Sequence, residues 1–218
     1  MSAFDQMSDE VSIMLEGVNR YNPGNLELLE EYVNAQVTEN RYDMEANFTT
    51  LKLYQLNPDR FKVDVVVKIL LKCLMQLPQT DFVLAKCLID QNRMEESQVK
   101  RVFNLSEDME MCQFEAVWET IKAEAEMFES VRGFSESVRE FICHVVSITY
   151  QNIGKDLLGS LLGNISESEL KAVCLSHCWN VRDDGYVHVS NMEDRIKSRN
   201  IAEKIDFNSI QDILRAMA

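Results

Sequence analysis

The stretch WNVRDDGYVHVSN, Trp179 to Asn191, decides the fold. Two alternating runs flank a polar turn ending in Gly, the pattern of a β-hairpin. A two-residue loop at Asp184-Gly185 would put Trp179 and Val181 on the opposite face from Val187 and Val189, splitting the apolar set. A three-residue loop, Asp183-Asp184-Gly185, sets Val181 opposite Val187 and Trp179 opposite Val189, with Gly185 in the left-handed conformation such loops need. One face is then apolar, and the other carries Asn180, Arg182, Tyr186, His188 and Ser190. A two-stranded ribbon is marginal in water, so its apolar face is expected to rest on helices.

Upstream, Val138, Phe141, Ile142, Val145 and Val146 recur at helical spacing, Ile148 to Gln151 favours a short strand, and Lys155 to Leu162 forms a short second helix. Ser166 opens a third helix, running to about Cys178. Glu169 completes a Ser-x-x-Glu capping box, and Ile165 is placed to staple against Leu170. Helix, short strand, helix, helix and two-stranded wing is the order of a winged helix, whose third helix often enters a DNA groove. Here that helix offers one cation, Lys171, against Glu167 and Glu169. It lacks both the cations for phosphate contacts and the Arg, Asn or Gln side chains that read base edges, so DNA is not an expected partner.

The 218 residues are 46% hydrophobic and include only 7 Gly and 3 Pro, which favours continuous helix over a turn-rich sandwich or barrel. No apolar run reaches the roughly 18 to 20 residues of a membrane span, and Met1 to Arg20 lacks the basic start and apolar centre of a signal peptide. An intracellular protein without membrane contact is expected. The six Cys (73, 87, 112, 143, 174 and 178) follow no framework spacing and read as buried thiols, and the sequons at Asn47, Asn104 and Asn164 then carry no meaning. The net charge of −14 is uneven: residues 1–130 hold 12 Lys/Arg against 24 Asp/Glu, whereas residues 131–218 hold 10 against 12. Such a surface repels phosphate backbones and suits basic protein surfaces.

The acidic part reads as successive helices with short joints. Leu29, Tyr32, Val33 and Gln36 form one stripe; Met44, Phe48, Leu51 and Leu56 form another, closed by Asn57-Pro58. From Phe61 to Leu77 apolar residues surround the axis, implying burial on several sides, and Pro78 ends that helix. Further stripes lie at Phe82, Ala85, Leu88, Ile89 and at Phe114, Val117, Trp118, Ile121. The spacing suggests stacked helical pairs in an irregular α-solenoid. The expected fold is therefore mostly α: a HEAT-like helical-repeat domain over residues 1–130, then a winged-helix domain with a β-hairpin wing and a C-terminal helix over residues 131–218.

Catalytic or metal chemistry finds little purchase. Cys174, His177 and Cys178 fall at i, i+3 and i+4, as metal ligands on one helix face would, but structural zinc needs four ligands and no second pair is present. Gly154-Lys155 lacks the Gly and the Ser or Thr that a phosphate loop requires. No nucleophile with an orienting partner is readable, so neither enzyme activity nor a cofactor or metal is expected. Arg195, Lys197 and Arg199 form the best basic cluster, but Glu193, Asp194 and Glu203 surround it and no aromatic lies near, which favours a solvated linker over RNA recognition.

The strings RYNP (20–23), LKLYQLNP (51–58), TDFVLAKCLID (80–90), FICHVVSITYQNI (141–153) and IAEKIDF (201–207) together make a resemblance. The chain resembles, over its whole length, the family of k subunits of eukaryotic translation initiation factor 3, a PCI-type subunit family. The resemblance implies a non-catalytic scaffold, monomeric when isolated and cytoplasmic, with nuclear presence compatible. Its implied partners are other subunits of the factor and, through the complex, the small ribosomal subunit; the alternative is a direct RNA-binding module. No catalytic residues carry over. Partner-binding candidates are Tyr186 and His188 on the wing and Phe207, Ile210, Leu214 and Met217 on an amphipathic last helix. That stripe suits an external groove or its own winged helix equally well by pattern, and the resemblance favours docking outward.

Overall fold

The computed structural model describes residues 3–190 and 214–215. Phe207, Ile210 and Met217 of the last stripe, and the cluster Arg195, Lys197 and Arg199, lie outside the described residues. Nine α-helices precede residue 130: α1 (Ala3–Met14), α2 (Leu26–Glu39), α3 (Met44–Leu56), α4 (Val63–Leu74), α5 (Asp81–Cys87), α6 (Gln91–Met94), α7 (Ser97–Glu110), α8 (Phe114–Ala123) and α9 (Ala125–Glu129). Then come α10 (Phe134–Thr149), β1 (Asn152–Gly154), α11 (Lys155–Leu161), α12 (Glu167–Ser176), β2 (Asn180–Val181) and β3 (Tyr186–His188). One continuous apolar core runs from Phe4 to Val189.

The axial helix of the first part is α4, which packs against α2, α5 and α7. Val65, Val66, Ile69, Leu70, Leu71 and Cys73 are all buried, as a helix apolar on every side must be. It starts two residues later than Phe61 and ends at Leu74, three before Leu77; Pro58 opens a short 3-10 turn instead of the helix itself. The stripe on α2 is as expected, with Leu29, Tyr32, Val33 and Gln36 buried.

The face of α3 is not. Met44 and Leu56 are exposed, and the buried face carries Asn47, Thr49 and Thr50 beside Leu51, Leu53 and Tyr54. Reciprocal amide bonds explain this. Gln36 donates to Asn47 Oδ1 at 3.0 Å and Asn47 donates to Gln36 Oε1 at 3.1 Å, while the Asp43 backbone N–H also donates to Gln36 Oε1 at 2.9 Å. A satisfied polar pair loses most of its burial penalty. Three of the six thiols, Cys87, Cys112 and Cys178, are exposed, contrary to expectation. Cys112 and Cys178 sit at positive φ just beyond α7 and α12, where the chain turns into solvent.

Three polar contacts tie the part of the chain after residue 130 to the part before it. Trp118 Nε1 donates to the Leu161 carbonyl at 2.8 Å, Ser137 Oγ donates to the Met75 carbonyl at 2.8 Å, and the Arg139 guanidinium lies 5.3 Å from the centre of the Trp118 ring. Gly163, at φ +90°, is required at this seam, because a Cβ there would stand 2.9 Å from the Trp118 indole.

The expected strand at Ile148–Gln151 is corrected: α10 continues through Thr149, and the strand is Asn152–Gly154. Burial of Val146 keeps that turn helical, and the Thr149 hydroxyl bonds back to the Val145 carbonyl at 2.7 Å. The sheet has the order β1-β3-β2 and is antiparallel throughout. Val181 pairs with Val187 and Asn180 with His188, and Gly185 has φ +86°, so the three-residue loop is present. Ile153, across from Val187 on β1, is buried, as are Val187, Trp179 and Val189; Val181, on an edge strand, is 40% exposed.

Candidate interaction surface

The polar side of the sheet presents the two wing candidates. Tyr186 is exposed, and its backbone N–H donates to Asp184 Oδ1 at 3.0 Å, fixing the turn. His188 is half-buried, and its Nδ1 lies 3.0 Å from Asn152 Oδ1 on the neighbouring strand. Both belong to the central strand, so their backbone groups pair with β1 and β2 and only their side chains are available to a partner. Leu214 is 63% exposed. The structure thus brings Tyr186 and His188 together on one strand, two residues apart and on the same face by strand alternation, with buried Val187 between them on the other.

Helix α12 starts where its capping box requires. Glu169 N–H donates to Ser166 Oγ at 3.3 Å, and Ser166 N–H donates to Glu169 Oε2 at 2.9 Å. The Ser166 hydroxyl also donates to Glu169 Oε2 at 2.7 Å, and this bond, followed by the one from the Ser166 backbone N–H, holds the Glu169 carboxyl below its ordinary pKa. Ile165 packs on the core and Leu170 is buried. The single cation of the helix, Lys171, is paired with Glu167 at 3.1 Å, which leaves no free positive charge on α12 for phosphate. Cys174 is buried in the helix, whereas Cys178 lies beyond it, so the trio expected on one face is split. Instead His177 stacks on Trp179, ring centres 5.1 Å apart, and reaches Glu140 on α10 at 3.4 Å. Among the described residues no group of His, Cys, Asp or Glu has metal-binding geometry.

Between α10 and α12 runs a groove of about 300 Å³ that the residue pattern did not reveal. Cys143, Ile165, Ala172 and Val173 make its apolar part, and the carboxylates of Glu136, Glu140 and Glu169 stand along it. Burial pushes the Cys143 thiol up to about 12, so it is protonated and serves as an apolar surface. Only the packing of two separate helices creates this concavity; the one signal in sequence is the recurrence of Glu136 and Glu140 four residues apart. Also missed was Lys72, 2% exposed on α4, which donates to Asn40 Oδ1 at 3.0 Å and whose pKa is lowered to about 8 by burial. Its apolar neighbours concealed it in the sequence.

Comparison with known proteins adds a second line. Residues 60–200 match the CSN8/PSMD8/EIF3K family. The chain is 45% identical over 214 residues to eukaryotic translation initiation factor 3 subunit K of Homo sapiens, covering 98% of each chain. It is 44% identical to the Danio rerio protein of the same name, over 98% of this chain and 97% of that one. To the Caenorhabditis briggsae protein it is 40% identical, over 97% of this chain and 96% of that one.

Proposed function

The chain belongs to the CSN8/PSMD8/EIF3K family, and on that premise we propose that it is a non-catalytic subunit of the eukaryotic translation initiation factor 3 complex. In this reading it is a protein–protein scaffold that helps the complex engage the small ribosomal subunit and form the initiation complex in the cytoplasm. The observation that carries the reading is identity of 45% sustained over 98% of both chains.

The physical features support the same conclusion. A surface of net charge −14 disfavours direct nucleic-acid contact, and α12 has its only cation neutralised by Glu167. We read residues 1–130 as a HEAT-like helical repeat and residues 131–218 as a winged helix; the order α10, β1, α11, α12, β2, β3 supports the second assignment. The proposed subunit-docking elements are the stripe Phe207, Ile210, Leu214 and Met217 and the wing side chains Tyr186 and His188, with the exposure of Leu214 and Tyr186 in favour.

The test is co-purification. A tagged chain in eukaryotic cells should bring down the other subunits of the factor and co-sediment with the small ribosomal subunit. Replacing Ile210 and Leu214 with Ser should abolish that recovery while leaving the melting temperature of the isolated protein nearly unchanged. Recovery of the unmutated chain as a free monomer would overturn the assembly reading, and a much lower melting temperature for the double mutant would assign the stripe to the protein's own core.

A further inference from the structure

The groove between α10 and α12 has an apolar floor and an acidic rim, a combination that specifies what fills it. Cys143 at its base is 2% exposed, Ile165 and Val173 are half-buried, and Ala172 is open at the mouth. Glu136 and Glu140 rise on the α10 side and Glu169 on the α12 side. Arg139 also lines the groove and acts on Glu169, with its guanidinium over the Trp118 ring at 5.3 Å and its Nε donating to the Leu162 carbonyl at 3.3 Å, so one cation stands among three carboxylates. His177 bridges to Glu140 at 3.4 Å, closing one end. The rim is therefore negative, on a face that already repels phosphate.

We propose that this groove docks a short amphipathic segment of a partner protein whose apolar side chains are flanked by Lys or Arg. Apolar side chains would cover Ile165, Ala172 and Val173, and the cations would meet Glu136, Glu140 and Glu169, the helix-in-groove mode with electrostatic selection. A nucleic acid would find no cation free on α12, and an acidic segment would meet like charge on both walls. The site goes beyond the assembly reading, since its lining belongs to α10, α12 and their flanking residues and includes neither the wing side chains Tyr186 and His188 nor Leu214, and its test needs no other subunit present.

Fluorescence anisotropy with the full-length chain tests it directly, using a labelled helical peptide of Leu and Lys and a matched peptide of Leu and Glu as probes. The Leu/Lys peptide should bind in the micromolar range, and the Leu/Glu peptide should not bind. The paired change Glu136→Lys and Glu140→Lys should weaken binding by about tenfold or more. The same charge change on the exposed face of α7, Glu107→Lys and Glu110→Lys, should alter it by no more than about twofold, which separates groove recognition from the general attraction of an acidic protein. Ala172→Gln, which changes no charge and obstructs the mouth at an exposed position, should weaken binding by a similar factor, and it decides the matter if the charge variants melt early. No binding, equal binding of the two peptides, equal loss from both charge-reversal pairs, or an Ala172→Gln protein that binds normally would each overturn the proposal.

Discussion

Replacing Gly163 with Ala should destabilise the protein by about 3 kcal/mol, although only one methyl group is added. Two costs combine. Gly163 holds φ at +90°, where a residue with a Cβ is disfavoured by about 1 to 2 kcal/mol. The new Cβ would also stand 2.9 Å from Cδ2 and Cε2 of Trp118, and overpacking of this kind costs about 1 to 3 kcal/mol. The indole has no easy retreat: its Nε1 is fixed to the Leu161 carbonyl at 2.8 Å and Arg139 lies over its ring. If it moves aside, that hydrogen bond is lost at about 1 kcal/mol. For a chain of this size about 3 kcal/mol corresponds to a fall in melting temperature of about 6 to 12 °C. Gly159→Ala is the matched control. Gly159 lies inside α11, and a Cβ there meets nothing within 4 Å, so alanine should stabilise the helix by about 0.5 to 1 kcal/mol. Thermal melts followed by tryptophan fluorescence and by far-ultraviolet circular dichroism measure both variants. A shift under about 2 °C for Gly163→Ala, or shifts of the same sign for the two, would refute the claim that α8 and α11 are wedged against each other through Trp118.

Trp179→Ala should cost about 3 to 5 kcal/mol, because the indole is 6% exposed beneath the sheet and stacked on His177; denaturant midpoints measure this, and a loss under about 1 kcal/mol would contradict the burial. Lys72 should make stability rise with pH: its folded pKa, about 8, is below its ordinary 10.5, so the cost of its buried charge is full below pH 8 and declines above it. Between pH 8 and pH 9 the gain is about 1 kcal/mol, and guanidinium midpoints of the unmutated chain relative to Lys72→Met should show it. The comparison with Lys72→Met is needed because Cys73 and Cys143, raised by burial to about 12, act in the opposite direction above their ordinary value of 9; parallel pH curves for the two proteins would refute the assignment.

The elements that were legible from residues alone are those whose signal is local. The wing register follows from period-2 alternation and from one Gly that had to take positive φ, and the α12 start follows from Ser166 and Glu169 three positions apart. The full burial of α4 followed from apolar residues on every side of its axis. What failed depends on partners distant in sequence. Asn47 reads as a surface residue until Gln36, 11 positions earlier, satisfies it inside the core. Ile148 and Thr149 carry β propensity, yet the burial of Val146 kept them on a helix, since tertiary contact outweighs intrinsic preference. The acidic groove left only the spacing of Glu136 and Glu140 in the sequence: these belong to one helix, Ala172 and Val173 to another, and only their packing makes a concave surface.

The central position of β3 has a consequence for how the chain is born. Its neighbour β1 is synthesised first, and Asn152 is held by His188, 36 residues downstream. At about 5 to 20 residues per second the emerging strand waits about 2 to 7 seconds for that neighbour. Throughout the interval Ile153 and an open row of backbone donors and acceptors face whatever else is in the vicinity, which is the situation that invites pairing between nascent chains. Three residues bounded by the end of α10 and the start of α11 offer too short a template for another chain to seize. The brevity of β1 is thus a safeguard during synthesis, and lengthening it by even a few alternating residues would strengthen the finished sheet while making its production on crowded polysomes more hazardous.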